Sequence, residues 1–140
     1  MPLDLHIVTP DGEVFRGPVR SVVLPGTEGD FGVLPGHERF LAPLRIGEIE
    51  VTGEKDEVFY GAIAGGFVEI ANDHVAVMVD ACELAEHIDV ARAQRAKARA
   101  EAELDQLRRE HSDENAFKSQ SGALQRALIR LQVAAKRHEF

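Results

Sequence analysis

Residues 74–102 read HVAVMVDACELAEHIDVARAQRAKARAEA, and the hydrophobic period changes inside that stretch. Up to Val79, apolar side chains take every second position (Val75, Val77, Val79), the period of a half-buried strand. From Asp89 onward, alanine recurs at 91, 93, 96, 98, 100 and 102. Alanine has the best helix propensity and lets a neighbouring helix approach closely. Asp89 stands where such a helix needs an N-cap. The switch predicts two units meeting near residue 86: a β unit over 1–86 and a helical unit over 87–140.

Working outward towards the start, Leu3, Leu5 and Ile7 repeat the period of two. Further β-rich runs lie at Glu13–Arg16, Val19–Leu24, Gly47–Val51, Val58–Ala64 and Phe67–Ala71. Turn signals separate them: Pro10-Asp11-Gly12, Gly17-Pro18, Pro25-Gly26, Pro35-Gly36, Gly65-Gly66 and Asn72-Asp73. Many short strands with regular turns mean a sandwich or barrel. Towards the end, the first helix is expected to run to about Glu110. Ser112-Asp113-Glu114-Asn115 then makes a polar break with N-cap candidates. Phe117, Leu124, Leu128, Leu131 and Ala135 form one apolar stripe on a second helix, which Gly122 should weaken near its start. The expected fold is α+β: an N-terminal antiparallel β-sandwich followed by a C-terminal α-helical hairpin.

Charge follows the same division. The 140 residues carry a net charge of -8, yet residues 1–85 hold 5 Lys and Arg against 15 Asp and Glu, while residues 86–140 hold 11 against 9. An acidic chain of this kind argues against a nucleic-acid partner. No apolar run approaches the roughly 20 residues of a membrane-spanning helix, so no direct membrane insertion is expected. The first residues carry neither a basic nor an apolar targeting segment. A single cysteine, Cys82, rules out a disulfide framework and makes cytosolic residence the default expectation.

Catalytic chemistry finds no parts. There is no nucleophile elbow, phosphate-binding P-loop or His-Glu-x-x-His pair, and the six histidines are scattered singly without metal-ligand spacing. Glycines 26, 29, 32 and 36 lie between Pro25 and Pro35 with no helix following, which reads as a string of tight turns joining strands. A non-catalytic protein without catalytic or metal-ligating residues is therefore expected. The loop from Leu24 to His37 nonetheless displays acidic and aromatic groups on a rigid turn, a surface suited to protein docking.

That loop, Leu24-Pro25-Gly26-Thr27-Glu28-Gly29-Asp30-Phe31-Gly32-Val33-Leu34-Pro35-Gly36-His37, resembles the signature of the epsilon subunit of F-type ATP synthases. Gly65-Gly66-Phe67-Val68-Glu69-Ile70 looks like the second motif of that family, and Ile88-Asp89-Val90-Ala91-Arg92-Ala93 like a third that opens the helical tail. The three occur in the family's order on a layout covering the whole chain. One departure is visible: Glu38-Arg39-Phe40-Leu41 follows His37, where relatives more often carry a small residue and proline.

The resemblance implies a central-stalk rotor subunit whose sandwich clamps the gamma subunit, rests on the c-subunit ring and couples proton flow to ATP synthesis. It implies a peripheral position on the cytoplasmic face of the bacterial inner membrane. Glu28 and Asp30 become candidates for contact with the c ring, and His37 for the gamma side, although turn carboxylates of this kind can equally be solvated. It also implies a tail that leaves the sandwich and enters the alpha/beta catalytic hexamer, where it blocks ATP hydrolysis. About 50 helical residues would reach roughly 75 Å end to end. Lys118, Arg126, Arg130, Lys136 and Arg137, against Asp113, Glu114 and Glu139, make its second helix basic enough to be drawn to acidic loops.

No cofactor is required, but some bacterial members hold a regulatory ATP between the helices. The residue types that bind it there match Glu83, Ile88, Asp89, Arg92, Ala93 and Arg99 in the first segment and Arg126 and Arg130 in the second helix. Each has an ordinary structural role available too: Asp89 as N-cap, Arg99 paired with Glu103 at i,i+4, the other arginines solvated. A stand-alone adaptor, its sandwich binding one protein and its hairpin another, is the competing reading; it predicts no complex with a gamma subunit.

Overall fold

The computed structural model describes residues 2–110 and 113–137; His111, Ser112, His138 and Glu139, named or counted above, lie outside them. Seven strands, β1 (Leu3–Thr9), β2 (Gly12–Gly26), β3 (Gly29–Val33), β4 (Phe40–Gly53), β5 (Val58–Ala71), β6 (His74–Val79) and β7 (Cys82–Leu84), are followed by a 3-10 turn at Ala85–His87. Two helices complete the chain, α1 (Val90–Glu110) and α2 (Glu114–Ala134). The layout is the expected α+β one, a β-sandwich and then a helical hairpin.

The strands are longer than the turn signals suggest, and two pairs of expected runs are each one continuous strand. Gly17-Pro18 and Gly65-Gly66 make no turns; they lie inside β2 and β5. Val19 pairs with Leu3 on β1 and with Gly53 on β4, so β2 passes from one partner to the next just beyond Pro18. β5 keeps β4 as its partner from Val58 to Ile70 on one edge, and on the other it changes across Gly65-Gly66 from β7 (Ile63 with Cys82) to β6 (Gly66 with Val79). A strand that changes partners must bend, and residues without a Cβ or without an amide hydrogen mark the bend. Gly65 and Gly66 adopt φ values of 91° and 141°, and a Cβ on Gly66 would stand 2.1 Å from the Met78 carbonyl oxygen. Only glycine fits there.

Pairing runs β1-β6-β5-β4-β2 and returns to β1, closing a ring, with β3 added on β2 and β7 on β5. All these pairs are antiparallel except β1 with β6, which are parallel and join Asp4 to His74 and Val8 to Met78. The loop expected to be tight turns contains a strand instead. β3 hairpins back on β2 through the two residues Thr27 and Glu28, with Gly26 opposite Gly29. Inside the ring, Leu3, Leu5, Ile7, Val22, Leu24, Ile49, Val51, Val68, Ile70, Val75 and Val77 are buried in one cluster to which no helix contributes. The hydrophobic parity along β4 changes on the way: Ala42 and Leu44 point inward at its start, Ile49 and Val51 further on. β5 changes in step, from Ile63 to Val68 and Ile70, across its paired glycines.

Both helices begin at the expected caps. The Asp89 carboxylate accepts the Arg92 amide at 3.0 Å, and the Asp113 carboxylate accepts the Asn115 amide at 2.9 Å. Ala93, Ala100 and Leu104 of α1 are buried, as is Ala127 on α2, small residues that let the antiparallel pair lie close. Gly122 does not interrupt α2; Nη1 of Arg126 lies 3.2 Å from where its Cβ would be, so the missing side chain makes room for a guanidinium.

Candidate functional site

Beyond Arg45 the outer face of the sandwich presents Tyr60, Ala62 and Ala64 on β5 opposite Glu50, Glu48 and Ile46 on β4. Small side chains in the middle of a sheet leave a shallow seat, and α2 fills it. Val133 and Ala134 pack with Ala62, Ala85 and Ile88, flanked by Tyr60, Val90 and Ile129. The apolar stripe expected on α2 is thus rotated. Its members Leu128 and Ala135 are exposed, Leu128 at 44%, while Val133 and Ala134 are buried against the sandwich. Phe117, Leu124 and Leu131 of the stripe are half-buried, but the residues that seat on the sheet are Val133 and Ala134, because a seat lined by alanine receives a narrow ridge.

Polar ties surround this contact. Arg130 Nε donates to Glu83 at 2.7 Å, Lys136 Nζ donates to Glu48 at 2.8 Å, and Arg137 donates to the carbonyl of Ile88 at 2.9 Å. The Lys136 ammonium also sits 4.9 Å from the centroid of the Tyr60 ring, a cation–π distance. Its hydrogen bond to Glu48 pushes the Lys136 pKa above its ordinary value. Burial, then the neighbouring Glu50 carboxylate, raises that of Tyr60. Two of the five basic residues assigned to the tail, Arg130 and Lys136, are therefore occupied on the sandwich in this docked arrangement, and Arg137 is occupied on the segment that joins the sandwich to α1.

Between the 3-10 turn and the two helices opens a cavity of about 520 Å³ lined by Glu83, His87, Asp89, Arg92, Ala93, Arg95, Ala96, Arg99 and Arg130. Six residues of the ATP-type set meet there: Glu83, Asp89, Arg92, Ala93, Arg99 and Arg130. The other two do not. Ile88 is 3% exposed within the tail–sandwich contact, and Arg126 lines a neighbouring cleft that shares Glu83 and Arg130. Arg99 makes no ion pair with Glu103 among the described residues; its guanidinium belongs to the cavity wall. His87, Arg95 and Ala96 also line it, and the sequence reading passed over them. For Arg95 a signal existed, since it lies three residues after Arg92 and four before Arg99, on one helical face.

At the other end of the sandwich, Glu28 is exposed on the tip of the β2–β3 hairpin. Asp30 is held at 2.6 Å by Arg45, which also donates to the Gly26 carbonyl at 2.8 Å and so fixes the hairpin tip. His37 hydrogen-bonds the Glu38 carbonyl through Nδ1 at 2.7 Å, and its ring lies 6.0 Å from that of Phe40, itself 5.7 Å from Phe31. On this half of the sheet the outward positions are Leu41 and Pro43 on β4 opposite Glu69 and Phe67 on β5. Leu41 is 67% exposed and Phe67 49%, with Leu34 and Phe40 also open to solvent. One half of the outer face is covered by the chain's own helix; the other is apolar and bare. Single exposed apolar residues are ordinary, but several on one face mark an interaction surface.

Among the described residues no group of three His, Cys, Asp or Glu is placed to hold a metal ion, and no helix is long and apolar enough to cross a membrane. Cys82 is half-buried, and desolvation pushes its thiol pKa up to about 12, which makes it a poor nucleophile.

Two family models cover the chain. Residues 2–85 match the beta-sandwich domain of the ATP synthase delta/epsilon chain, and residues 86–135 its long alpha-helix domain. An ATP synthase epsilon chain of Syntrophotalea carbinolica is 42% identical over 134 residues, spanning 96% of this chain and 94% of the relative. The ATP synthase epsilon chain of Halalkalibacterium halodurans is 41% identical, spanning 96% and 98%. Among solved structures, a chain in the cryo-EM structure of the Euglena gracilis mitochondrial ATP synthase superposes with a TM-score of 0.80 at 25% identity, covering 96% of this chain and 81% of that one. Sandwich, docked hairpin and matches running from end to end agree, and the chain belongs to the ATP synthase delta/epsilon family, as an epsilon subunit.

Proposed function

We propose that this subunit works in the rotor of a bacterial F-type ATP synthase, without catalysing a reaction itself. Its sandwich joins the gamma subunit to the c ring, and so couples proton flow to ATP synthesis from the cytoplasmic face of the inner membrane. The observation that carries this is the divided outer face. A tail covers one half through a small contact separate from the core, leaving Leu41 and Phe67 bare on the other, with Leu34 and Phe40 exposed beside it. Glu28, at the hairpin tip, and His37, beside Phe40, border the open half and are the proposed polar contacts with the c ring and the gamma subunit; Asp30 acts by fixing that tip through Arg45.

The tail is the regulatory element. Undocking frees Arg130, Lys136 and Arg137 from Glu83, Glu48 and the Ile88 carbonyl, presenting them to acidic loops of the alpha/beta hexamer. ATP in the cavity would bridge the 3-10 turn, α1 and Arg130 of α2, and a ligand that prefers the docked state shifts the balance by its differential affinity. High ATP then holds the tail down and leaves the motor free; low ATP releases it to inhibit hydrolysis.

Purifying the assembled enzyme with Leu41→Asp and Phe67→Asp together should lose this subunit while its folding is unchanged. A wild-type chain that never co-purifies with a gamma subunit would favour the adaptor reading instead. Removing residues 88–140 should raise ATP hydrolysis with coupling largely kept. Calorimetric titration of the isolated full chain should show heat on adding ATP, and none at millimolar ATP would end the sensing part of the proposal.

A further inference from the structure

β5 and β6 are joined by the two residues Asn72 and Asp73, closed by the pair Ala71 and His74. Both take positive φ, 51° and 63°, as the central residues of a type I′ hairpin must. The second of those positions favours glycine, because a Cβ is strained there. Asp73 therefore departs from the local preference, and what it adds in exchange is a side chain.

That side chain reaches another loop. Oδ1 of Asp73 accepts the Gly36 amide at 2.8 Å, across 37 positions of sequence. Gly36 belongs to residues 34–39, which connect β3 to β4. Within this loop the His37 amide donates to the Leu34 carbonyl at 3.2 Å, around Gly36 at a φ of 86°. Among the described residues, the bond to Asp73 is the one hydrogen bond that ties the loop to another part of the sandwich. The anchor is itself fixed. The Asp73 carbonyl accepts the Asp4 amide of β1 at 2.8 Å, and beside it His74 Nδ1 lies 3.1 Å from the Asp4 carboxylate.

From this we infer that Asp73 is a positioning residue for partner docking: it holds the β3–β4 loop in the shape that presents Leu34 and His37. Leu34 is 62% exposed, and His37 stands beside the exposed Phe40. A loop with an apolar residue open to solvent must be ordered before or during binding, and order already present strengthens the complex. Asp73 supplies that order in advance, in place of the residue the turn itself would favour. A local preference set aside for a contact that shapes an exposed loop is expected where the surface serves a partner. The inference rests on the docking reading above and adds to it a residue outside the docking surface.

Asp73→Gly separates the two roles. Glycine suits the turn, and relief of positive φ offsets the added freedom of the unfolded chain, so Tm should not fall. The Gly36 amide loses its acceptor and should exchange about tenfold faster, while amides of β5 and β6 keep their rates. Affinity of the full chain for ATP synthase stripped of this subunit should fall about fivefold. Asp73→Asn removes the charge but keeps an acceptor oxygen and tolerates positive φ, so it should bind within about twofold of wild type. Wild-type affinity or an unchanged Gly36 amide in Asp73→Gly would overturn the inference, as would an equal loss in Asp73→Asn. So would a lowered Tm with β5 and β6 exchanging faster, which would make Asp73 a support of the sheet. A wild-type chain with no affinity for the stripped enzyme would instead overturn the docking reading beneath it.

Discussion

Val133→Ala should loosen the tail without loosening the sandwich. Val133 is fully buried, and its neighbours are small: Ala62, Ala85 and Ala134, with Ile88. Truncation to alanine removes the equivalent of two methylenes, about 1.6 kcal/mol at ~0.8 kcal/mol each, plus a cavity contribution that the rigid sheet cannot relax away. None of that loss falls on the core cluster, which contains no tail residue. The docked-to-undocked ratio of the hairpin should therefore fall about fifteen-fold, at ~1.4 kcal/mol per tenfold. Native-state hydrogen exchange reads this directly. Amides of α2 near Leu131–Ala134 should exchange about fifteen-fold faster, while amides of β1 and β6 hold their wild-type rates. If strands and helix accelerate together, the hairpin is part of the cooperative core and the idea of a detachable tail is wrong. If neither changes, the contact contributes nothing and another must hold the tail.

Gly66→Ala should cost the sandwich several kcal/mol, on the order of 3, because the new Cβ meets the Met78 carbonyl oxygen and sits at positive φ; thermal denaturation would show it, and an unchanged Tm would contradict the bend assigned to this position. The raised pKa values of Lys136 and Tyr60 favour, in both cases, the protonated form of the docked state. Their contribution to docking is thus complete below the unfolded values near pH 10 and fades as pH rises through the folded ones, so exchange of the α2 amides relative to the strands should quicken above about pH 10. Lys136→Met should remove most of that step. Cys82 should resist alkylation by iodoacetamide at pH 8 in the folded protein and react at once in denaturant, since burial holds its pKa near 12.

The sequence carried the architecture because its two hydrophobic periods are clean where only one face is buried. Leu3, Leu5 and Ile7, and Val75, Val77 and Val79, alternate without fault and are the innermost residues of β1 and β6. Glycine and proline were the weak point. At Asn72-Asp73 they are replaced by residues that do adopt positive φ in a true turn, whereas Gly17-Pro18 and Gly65-Gly66 serve strands that bend between partners. Composition does not distinguish a chain that reverses from one that bends, because both need the same backbone freedom. The parallel pairing of β1 with β6 was equally out of reach, since it joins residues some seventy positions apart. At the cavity, arginine spacing was readable in principle, and Arg95 was missed only because the motif-based set skipped it. The exclusion of Ile88 from the wall was not readable. It depends on α2 docking through Val133 and Ala134 rather than through the leucine stripe.

Closure of the strand ring between residue 4 and residue 74 sets an order of events in synthesis. A nascent chain cannot close the ring until β6 has left the ribosome, and such distant pairings form slowly, on the millisecond-to-second scale. The hairpin that follows has only local contacts to make within itself, and its helices form within microseconds. The strands leave the ribosome ahead of the hairpin, so the foot has time to close while the helices are still being made. The alanine seat on β5 exists only once that foot is finished, so the tail's first docking also reports that the sheet beneath it has folded.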